Sequence, residues 1–439
     1  MLSDMMNRRE FLYLSGITSA VFLAGCAINP VTGEQQLMFV SPQQEIALDK
    51  KSSPHQFSSD YGATSDKKVN AYVSRTGLAM ARHTHRPDMP YSFRCVDAVY
   101  VNAYAFPGGS IACTRGILLT LQNEAELSAL LGHEMGHVNA RHTASRMSKG
   151  MLISAVAAGV SAFAATKRKE YAAIAAGLGG AASGALLAFY SREDERQADS
   201  LGMQYMVRTG YSPSGMVGLQ THLLNMHKSR PNPMQILFAS HPMSEERVRN
   251  AELQMDTEFL HDKNKPLYRE RYMDNTASLR AKRKPIMQLQ DGEKLMQQKK
   301  YPQAEQKFSS ALKAMPNDYA GLLMMSKCTL AQNKAQVAQS YADKAKRAKP
   351  GEAQALHMAG ISRLVRQDFS GAEQQFRTYE QRLPGNPNTV YLRGLSLEGM
   401  GKKEAAAQEY GRYLQSGAQG DMAKRAYRKL QNWGYIRQR

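Results

Sequence analysis

Apolar and polar residues follow two different periods along this chain. From Tyr91 to Val96, and again from Ala103 to about Thr114, they alternate as in extended backbone, and Pro107-Gly108-Gly109 breaks the second run. Elsewhere the period is helical. Ser41 opens a helix through Ile46 and Leu48, residues 51–66 read as polar and turn-rich, and a second helix covers about 67–83 before Pro87 and Pro90. Asn123 offers an N-cap with Glu126 three residues on, and Leu127, Leu130, Leu131, Met135 and Val138 supply an apolar stripe to the helix that follows. Ser191 caps a helix through Glu195 and Asp199, and Ser244 caps a short one whose entrance Pro242 stiffens. Between Met151 and Ala188, small apolar residues flank Lys167-Arg168-Lys169; two closely packed helices are expected, either buried or facing lipid as a mobile flap.

Past residues 256–290, a charged and helix-prone bridge, the pattern repeats. Ala304, Ala338, Ala372 and Ala406 are 34 residues apart, as are Phe308, Ala342, Phe376 and Tyr410, and Pro316, Pro350 and Pro384 keep the same period at the turns. That period, with small residues at helix crossings, predicts tetratricopeptide-like helix pairs with a concave face for protein binding. The repeat around 322–349 is the least regular, its Cys328 suits helix packing, and a cap helix is expected over 420–432 near Trp433.

With 439 residues the chain is long enough for two domains, and its formal charge is 57 − 38 = +19. Such a balance favours anionic surroundings, either a lipid headgroup layer or acidic polypeptide. Zinc-finger spacing, a recognition-helix signature and aromatic-basic interleaving are all missing, so nucleic acid is not an expected partner. Four cysteines, Cys26, Cys95, Cys113 and Cys328, are too few for a disulfide-built scaffold and form no CxxC pair; Cys95 and Cys113 lie on the two extended runs as candidate cross-strand partners. The N-terminus is basic, then apolar from Leu14 to Leu23, then small, which reads as an export signal over residues 1–25. Arg8-Arg9-Glu10-Phe11-Leu12 resembles a twin-arginine signal. Leu23-Ala24-Gly25-Cys26 resembles a lipobox, in which Cys26 would carry lipid, and Ala27 after it resembles lipoproteins sent to the outer membrane.

The chemistry concentrates in His133-Glu134-Met135-Gly136-His137. Imidazoles at i and i+4 on one helical face can reach a single Zn²⁺, and the carboxylate between them can take a proton from water. Glu195, 58 residues after His137, is the leading third ligand, and leaves a fourth tetrahedral position for water. His241 could face the metal or a transition-state oxyanion, with Arg247 anchoring the local geometry through a carboxylate. His142 is expected to face elsewhere on the helix. Gly108 and Gly109 leave backbone open for an extended peptide to pair with, unless the segment is simply a bulged hairpin.

In order along the chain, Asn29-Pro-Val-Thr-Gly33, Asn102-Ala-Tyr-Ala-Phe-Pro-Gly-Gly109, the His133–His137 motif, Ser191-Arg-Glu-Asp-Glu195, Ala198-Asp199 and Ser240-His241-Pro242 resemble the M48 zinc metallopeptidases. The likeness is to their bacterial periplasmic, BepA-like outer-membrane assembly proteases with a tetratricopeptide tail. It implies an α+β, predominantly helical fold: a zincin-type metallopeptidase domain over 26–255, a helical linker over 256–290 and an α-helical tetratricopeptide solenoid over 291–439. It also implies one Zn²⁺ held by His133, His137 and Glu195, Glu134 as general base, and Asp199 orienting a ligand histidine. His241 would close the open metal position, and Asn102, Gly108 and Gly109 would bind substrate. The implied task is degradation of misassembled outer-membrane proteins in the periplasm, with the repeats docking on the barrel-assembly machinery; the lipobox at Cys26 is a departure from those members, which can have a plain signal, and adds a lipid tether. The alternative is a lipid-anchored chaperone or scaffold with a latent metal site.

Overall fold

The computed structural model describes residues 26–149, 151, 190–229 and 241–436. The expected export signal, nearly all of the helix pair between 151 and 188, and the Phe238-Ala239-Ser240 run before His241 lie outside the described residues.

Strands β1 (Cys26–Ile28) and β2 (Gln35–Leu37) pair antiparallel around the Asn29–Gly33 turn, where Asn29 Oδ1 accepts from the Val31 amide at 2.9 Å. Helix α1 (Pro42–Ser59) begins at a Ser41–Gln44 capping box. It does not stop near Leu48: it runs through Pro54 to Ser59 across residues whose polarity suggested turns. The reason is that its polar side chains are used inside the protein. Glu45 meets Arg86 at 2.7 Å and Arg141 at 3.0 Å, Asp49 accepts from the Ser110 amide at 2.8 Å, and Phe57 packs on Tyr104 and Phe106. A buried polar face and a solvated one look alike in sequence.

After α2 (Lys67–Ala81), strands β3 (Ser92–Val96), β4 (Ala103–Ala105) and β5 (Ser110–Thr114) form a sheet in the order β3-β5-β4. β3 runs parallel to β5 with Cys95 opposite Cys113, both buried free thiols, and β4 closes an antiparallel hairpin on β5. The short α3 (Arg115–Leu118) leads to α4 (Glu124–Asn139), which is capped by Asn123 as its sequence predicts. Every residue of α4 is buried, not just one stripe, because α2, α5 (Arg192–Arg208), α6 (Ser214–Ser229) and β4 surround it. Helix α7 (Glu245–Thr257) packs on α5 and α6.

Helix α8 (Arg269–Ala281) is charged but firmly seated: Tyr272 is fully buried and its hydroxyl donates to the Leu118 carbonyl at 2.6 Å. The remainder is helical, with α9 (Arg283–Gln297) packed on α10 (Tyr301–Ala314), α11 (Tyr319–Ala331) on α12 (Ala335–Ala348), α13 (Gln354–Val365) on α14 (Phe369–Arg382), and α15 (Pro387–Gly399) on α16 (Lys403–Gln415). This is the stacking of a tetratricopeptide-like solenoid, and α17 (Asp421–Asn432) closes it through Ala423, Ala426 and Leu430. The periodic alanines and aromatics are all fully buried. Gly292, Gly360 and Gly394 each lie against an aromatic of that register, Phe308, Phe376 and Tyr410, so closely that a Cβ would sit 2.4–2.7 Å from the ring. In the irregular repeat the aromatic is Ala342 and the glycine is Ser326, whose hydroxyl donates to the Ala338 carbonyl at 2.8 Å. Both halves of the contact have changed together, so irregular sequence still gives regular packing. Among the described residues, no helix is long and apolar enough to cross a membrane.

The repeats as far as Ala359 share one apolar core with the α/β region, while Val390 to Leu430 pack in a cluster of their own, and buried charges cross between the repeats and the α/β region. Arg115 grips Asp318 at 2.6 and 2.9 Å, and Lys349 reaches Asp97 at 3.0 Å and the Tyr61 carbonyl at 2.9 Å. Arg115→Ala leaves Asp318 buried without its countercharge, with an expected cost of about 3 kcal/mol in urea unfolding, whereas Arg115→Met with Asp318→Asn, which keeps the cap on the Gly321 amide, should recover most of it. Burial pushes the Asp318 carboxyl up and Arg115 pulls it further down, so it lies below its ordinary 3.8. A depressed carboxylate stabilises fully above its unfolded pKa and loses that contribution as pH falls through the folded one. Acid titration should therefore weaken the parent protein more steeply than the double variant below about pH 4.

Candidate metal centre

Two helices make the centre, and small residues let them meet. On α4, Gly132 faces Gly202 of α5 and Gly136 faces Ala198; a Cβ on either α4 glycine would come within 2.8 Å of α5 backbone. Backbones this close leave only short reaches for the side chains on each side of the crossing. His133 and His137 therefore meet Glu195 and Asp199 from the opposite helix, and α5 is fixed at its start by a Ser191–Asp194 capping box. His241 comes in just ahead of α7, held by Arg247, whose Nη1 donates to the Pro242 carbonyl at 3.3 Å.

One donor atom from each of His133, His137, Glu195 and His241 lies within 4.8 Å of every other, and all four residues are buried. His133 Nε2 is 3.1 Å from His137 Nε2 and 3.2 Å from His241 Nδ1; Glu195 Oε1 is 2.8 Å from His241 Nδ1 and 3.4 Å from His137 Nε2. A tetrahedral zinc with bonds near 2.0–2.1 Å has ligand–ligand edges of about 3.3 Å. The observed edges bracket that value, and borderline nitrogen and carboxylate donors are those zinc prefers. The residues fit the ion.

Around the donors a charged frame fixes their orientation. Asp199 Oδ1 accepts from His133 Nδ1 at 2.8 Å, which leaves His133 Nε2 as a lone pair aimed at the centre. Asp199 is in turn gripped by Arg247 at 2.7 and 2.8 Å and by Gln220 at 2.8 Å, and Arg247 Nη1 lies 2.7 Å from Glu195 Oε2. Burial by itself would raise the Glu195 carboxyl; His241, His133 and Arg247 outweigh it and hold it well below the usual range. Glu134 is different. Burial dominates and raises its pKa above 4.5, and neither of its oxygens has a hydrogen-bond partner although both are buried beside the cluster, Oε1 being 3.8 Å from His241 Nε2. A carboxylate left bare in this way is available to a reacting group.

His137 shows what the sequence reading missed. Tyr190 stacks on its ring at 3.7 Å, and its Nδ1 meets His142 Nδ1 at 2.8 Å. His142 is no donor of the cluster, but neither does it face away. Helix α4 ends at Asn139, and Arg141 takes a left-handed φ of 58° before residues 142–149 turn helical again, so the chain doubles back on the centre. That conformation is costly for an arginine, and its side chain secures it by bonding Glu45 at 3.0 Å and the Val40 carbonyl at 2.6 Å.

The remaining candidates are not gathered here. Asn102 lies at the start of β4, buried, with its Oδ1 unpartnered. Gly108 and Gly109 form the β4–β5 turn: a Cβ on Gly108 would meet Asp49 and Ile46, and Gly109 has a φ of 95° that favours glycine. Cys26 begins β1. The hairpin nevertheless borders the centre, since Ala105, Phe106 and Pro107 share a narrow cleft with His137, Val138 and Tyr190. Among the described residues, the outer edge of β4 pairs with no strand.

Residues 67–254 match the model of Peptidase family M48, and this region has the fold and the His/His/Glu metal-binding triad of an M48-family zinc metallopeptidase. The chain is similar to the putative beta-barrel assembly-enhancing protease of Vibrio cholerae serotype O1, 29% identical over 190 residues covering 42% of this chain and 38% of that protein. It is also similar to the beta-barrel assembly-enhancing protease of Escherichia coli K12, 27% identical over 192 residues, 42% of this chain and 39% of that one. Metalloprotease YcaL of the same organism is 27% identical over 249 residues, 54% of this chain and 94% of its own length. The chain thus spans about two fifths of the length of the two barrel-assembly relatives.

Replacing Asp199 with Asn removes the charge that Arg247 binds and loosens His133, and zinc affinity measured by chelator competition should fall 10- to 100-fold.

Proposed function

We propose that this protein is a zinc-dependent endopeptidase that degrades misfolded or misassembled outer-membrane proteins. The observation that carries the reading is the four-donor cluster with an unpartnered, buried Glu134 beside it. One Zn²⁺ bound there by His133, His137 and Glu195 would supply Lewis acidity to an attacking water and to the scissile carbonyl. Glu134, its pKa raised by burial, takes the proton of the water and returns it to the leaving amine. Asp199 and Arg247 keep the ligands from turning while charge develops. The substrate main chain pairs with the edge of β4 that carries no strand among the described residues, between Asn102 and the Gly108–Gly109 turn, and because such pairing reads little sequence, specificity rests on access to unfolded segments.

His241 is the gate. Its Nδ1 sits with the three ligand residues, in the position an attacking water would need, so it must withdraw before turnover and can then face the oxyanion. The same observation supports the second reading, a lipid-anchored chaperone or assembly scaffold whose metal site is latent. The names of the two barrel-assembly relatives support a role in β-barrel assembly. The lipobox-like Leu23-Ala24-Gly25-Cys26 supports a periplasmic protein tethered to the outer membrane through lipid on Cys26, and the repeats offer a surface for docking on the barrel-assembly machinery.

The test is cleavage of an unfolded outer-membrane β-barrel protein by the zinc-loaded protein. Glu134→Gln should retain zinc and lose about 10²–10⁴-fold in rate; equal rates in both proteins would exclude Glu134 as the base. His241→Ala should cleave faster than the parent, and a fall instead would give His241 a part in turnover and end its role as gate. No cleavage by parent or His241→Ala would favour the scaffold.

A further inference from the structure

For His137 Nε2 to present a lone pair to a cation, the ring proton must be on Nδ1. That atom faces His142 Nδ1 at 2.8 Å, and a contact between two ring nitrogens holds one proton. Which ring carries it decides what His137 offers the centre. The far side of His142 supplies the answer. His142 Nε2 lies 2.8 Å from Gln197 Oε1 and 3.6 Å from Asp194 Oδ1, and both oxygens accept. The proton of a neutral His142 is therefore on Nε2, and its Nδ1 is the acceptor. The bonds then run one way: His142 Nε2–H donates to Gln197, His137 Nδ1–H donates to His142, and His137 Nε2 is bare, 3.1 Å from His133 Nε2 and 3.4 Å from Glu195 Oε1.

We infer that His142, held by Gln197 and Asp194, is a positioning residue that fixes His137 in its metal-binding tautomer. This rests on the zinc-centre reading above. It does for His137 what Asp199 does for His133, and the two arrangements share one source: Asp194, Glu195, Gln197 and Asp199 are all on α5. The helix that brings the third ligand also sets the tautomer of the first two. Three features make the arrangement rigid. The left-handed turn at Arg141 returns His142 to the centre, the Glu45 ion pair locks that turn, and Tyr190 stacked on His137 holds the ring in the plane where Nδ1 meets His142.

The experiment uses the full chain and reads zinc affinity by competition with a chromophoric chelator, together with the visible spectrum of the cobalt(II)-substituted protein. His142→Phe fills the same space without an acceptor and should bind zinc 10- to 100-fold more weakly, with an altered cobalt spectrum. His142→Asn puts Oδ1 where Nδ1 was and should restore most of the affinity and the parent spectrum. Gln197→Leu leaves both histidines in place with only the more distant Asp194 Oδ1 to accept the His142 proton, and should cost several-fold. Parent-like affinity in His142→Phe, or equal losses in the Phe and Asn variants, would overturn the inference. If circular dichroism shows that His142→Phe does not fold, Gln197→Leu decides: parent-like affinity there overturns it too. A parent protein that binds neither zinc nor cobalt would instead remove the metal-centre reading itself, a separate result.

Discussion

The close backbone contact between α4 and α5 sets the geometry of everything around the centre. With Gly132 and Gly136 against Gly202 and Ala198, the helices touch main chain to main chain. Side chains beside the crossing then face one another at bonding distance: two imidazoles from one helix, two carboxylates from the other. A methyl group in the seam would separate the helices by more than the tolerance of a metal site, whose donors must hold to a few tenths of an ångström. The seam also explains why α4 has no polar face. A helix that turns both its glycines and its metal motif toward α5 is covered on its remaining sides by α2, α6 and β4, so no side is left for water.

Such burial gathers charges that would repel or starve for solvent if left alone, and the site balances them in pairs. Arg247 is the hub, touching Asp199, Glu195 and the backbone that presents His241. One guanidinium thus ties the two carboxylates of α5 to the segment bearing the third imidazole. Glu134 stands outside this network with both oxygens unpartnered, at the cost of a buried polar group that most proteins would satisfy. An exception of that kind, adjacent to a donor cluster, is where chemistry is to be looked for. The depressed Glu195 and the raised Glu134, two carboxylates in one site, differ because His241, His133 and Arg247 outweigh burial at Glu195, whereas burial outweighs the same three groups at Glu134.

The same economy joins the repeats to the α/β region. Arg115, immediately after β5, and Asp318, at the N-cap of α11, form a buried pair across the junction, and Lys349 adds carbonyl and carboxylate contacts. The solenoid is therefore seated against the unit that carries the centre, with a shared apolar core beneath the charges. Its internal register tolerates change because the positions in contact change together: glycine opposite an aromatic ring in three repeats, serine opposite alanine in the fourth.

What the sequence by itself determined are the features written in local spacing. The caps at Ser41, Asn123, Ser191 and Ser244, the strands around Pro107-Gly108-Gly109, the 34-residue period and the paired histidines all depend on residues near in sequence, and each is found where its pattern puts it. Only the tertiary structure decided which polar residues are solvated and which are used. Residues 51–59 read as turn because the partners of Phe57, Tyr104 and Phe106, are remote in sequence, and α4 read as striped because α5 and α6, which cover much of it, come later. His142 is the sharpest case. Counting 100° per residue turns it away from His137, but the count holds only while the helix continues, and Arg141 breaks it with a left-handed residue that Glu45, 96 positions earlier, makes stable. A period fixes direction within one element; where an element stops, and what it meets afterwards, is set by contacts that sequence spacing does not record.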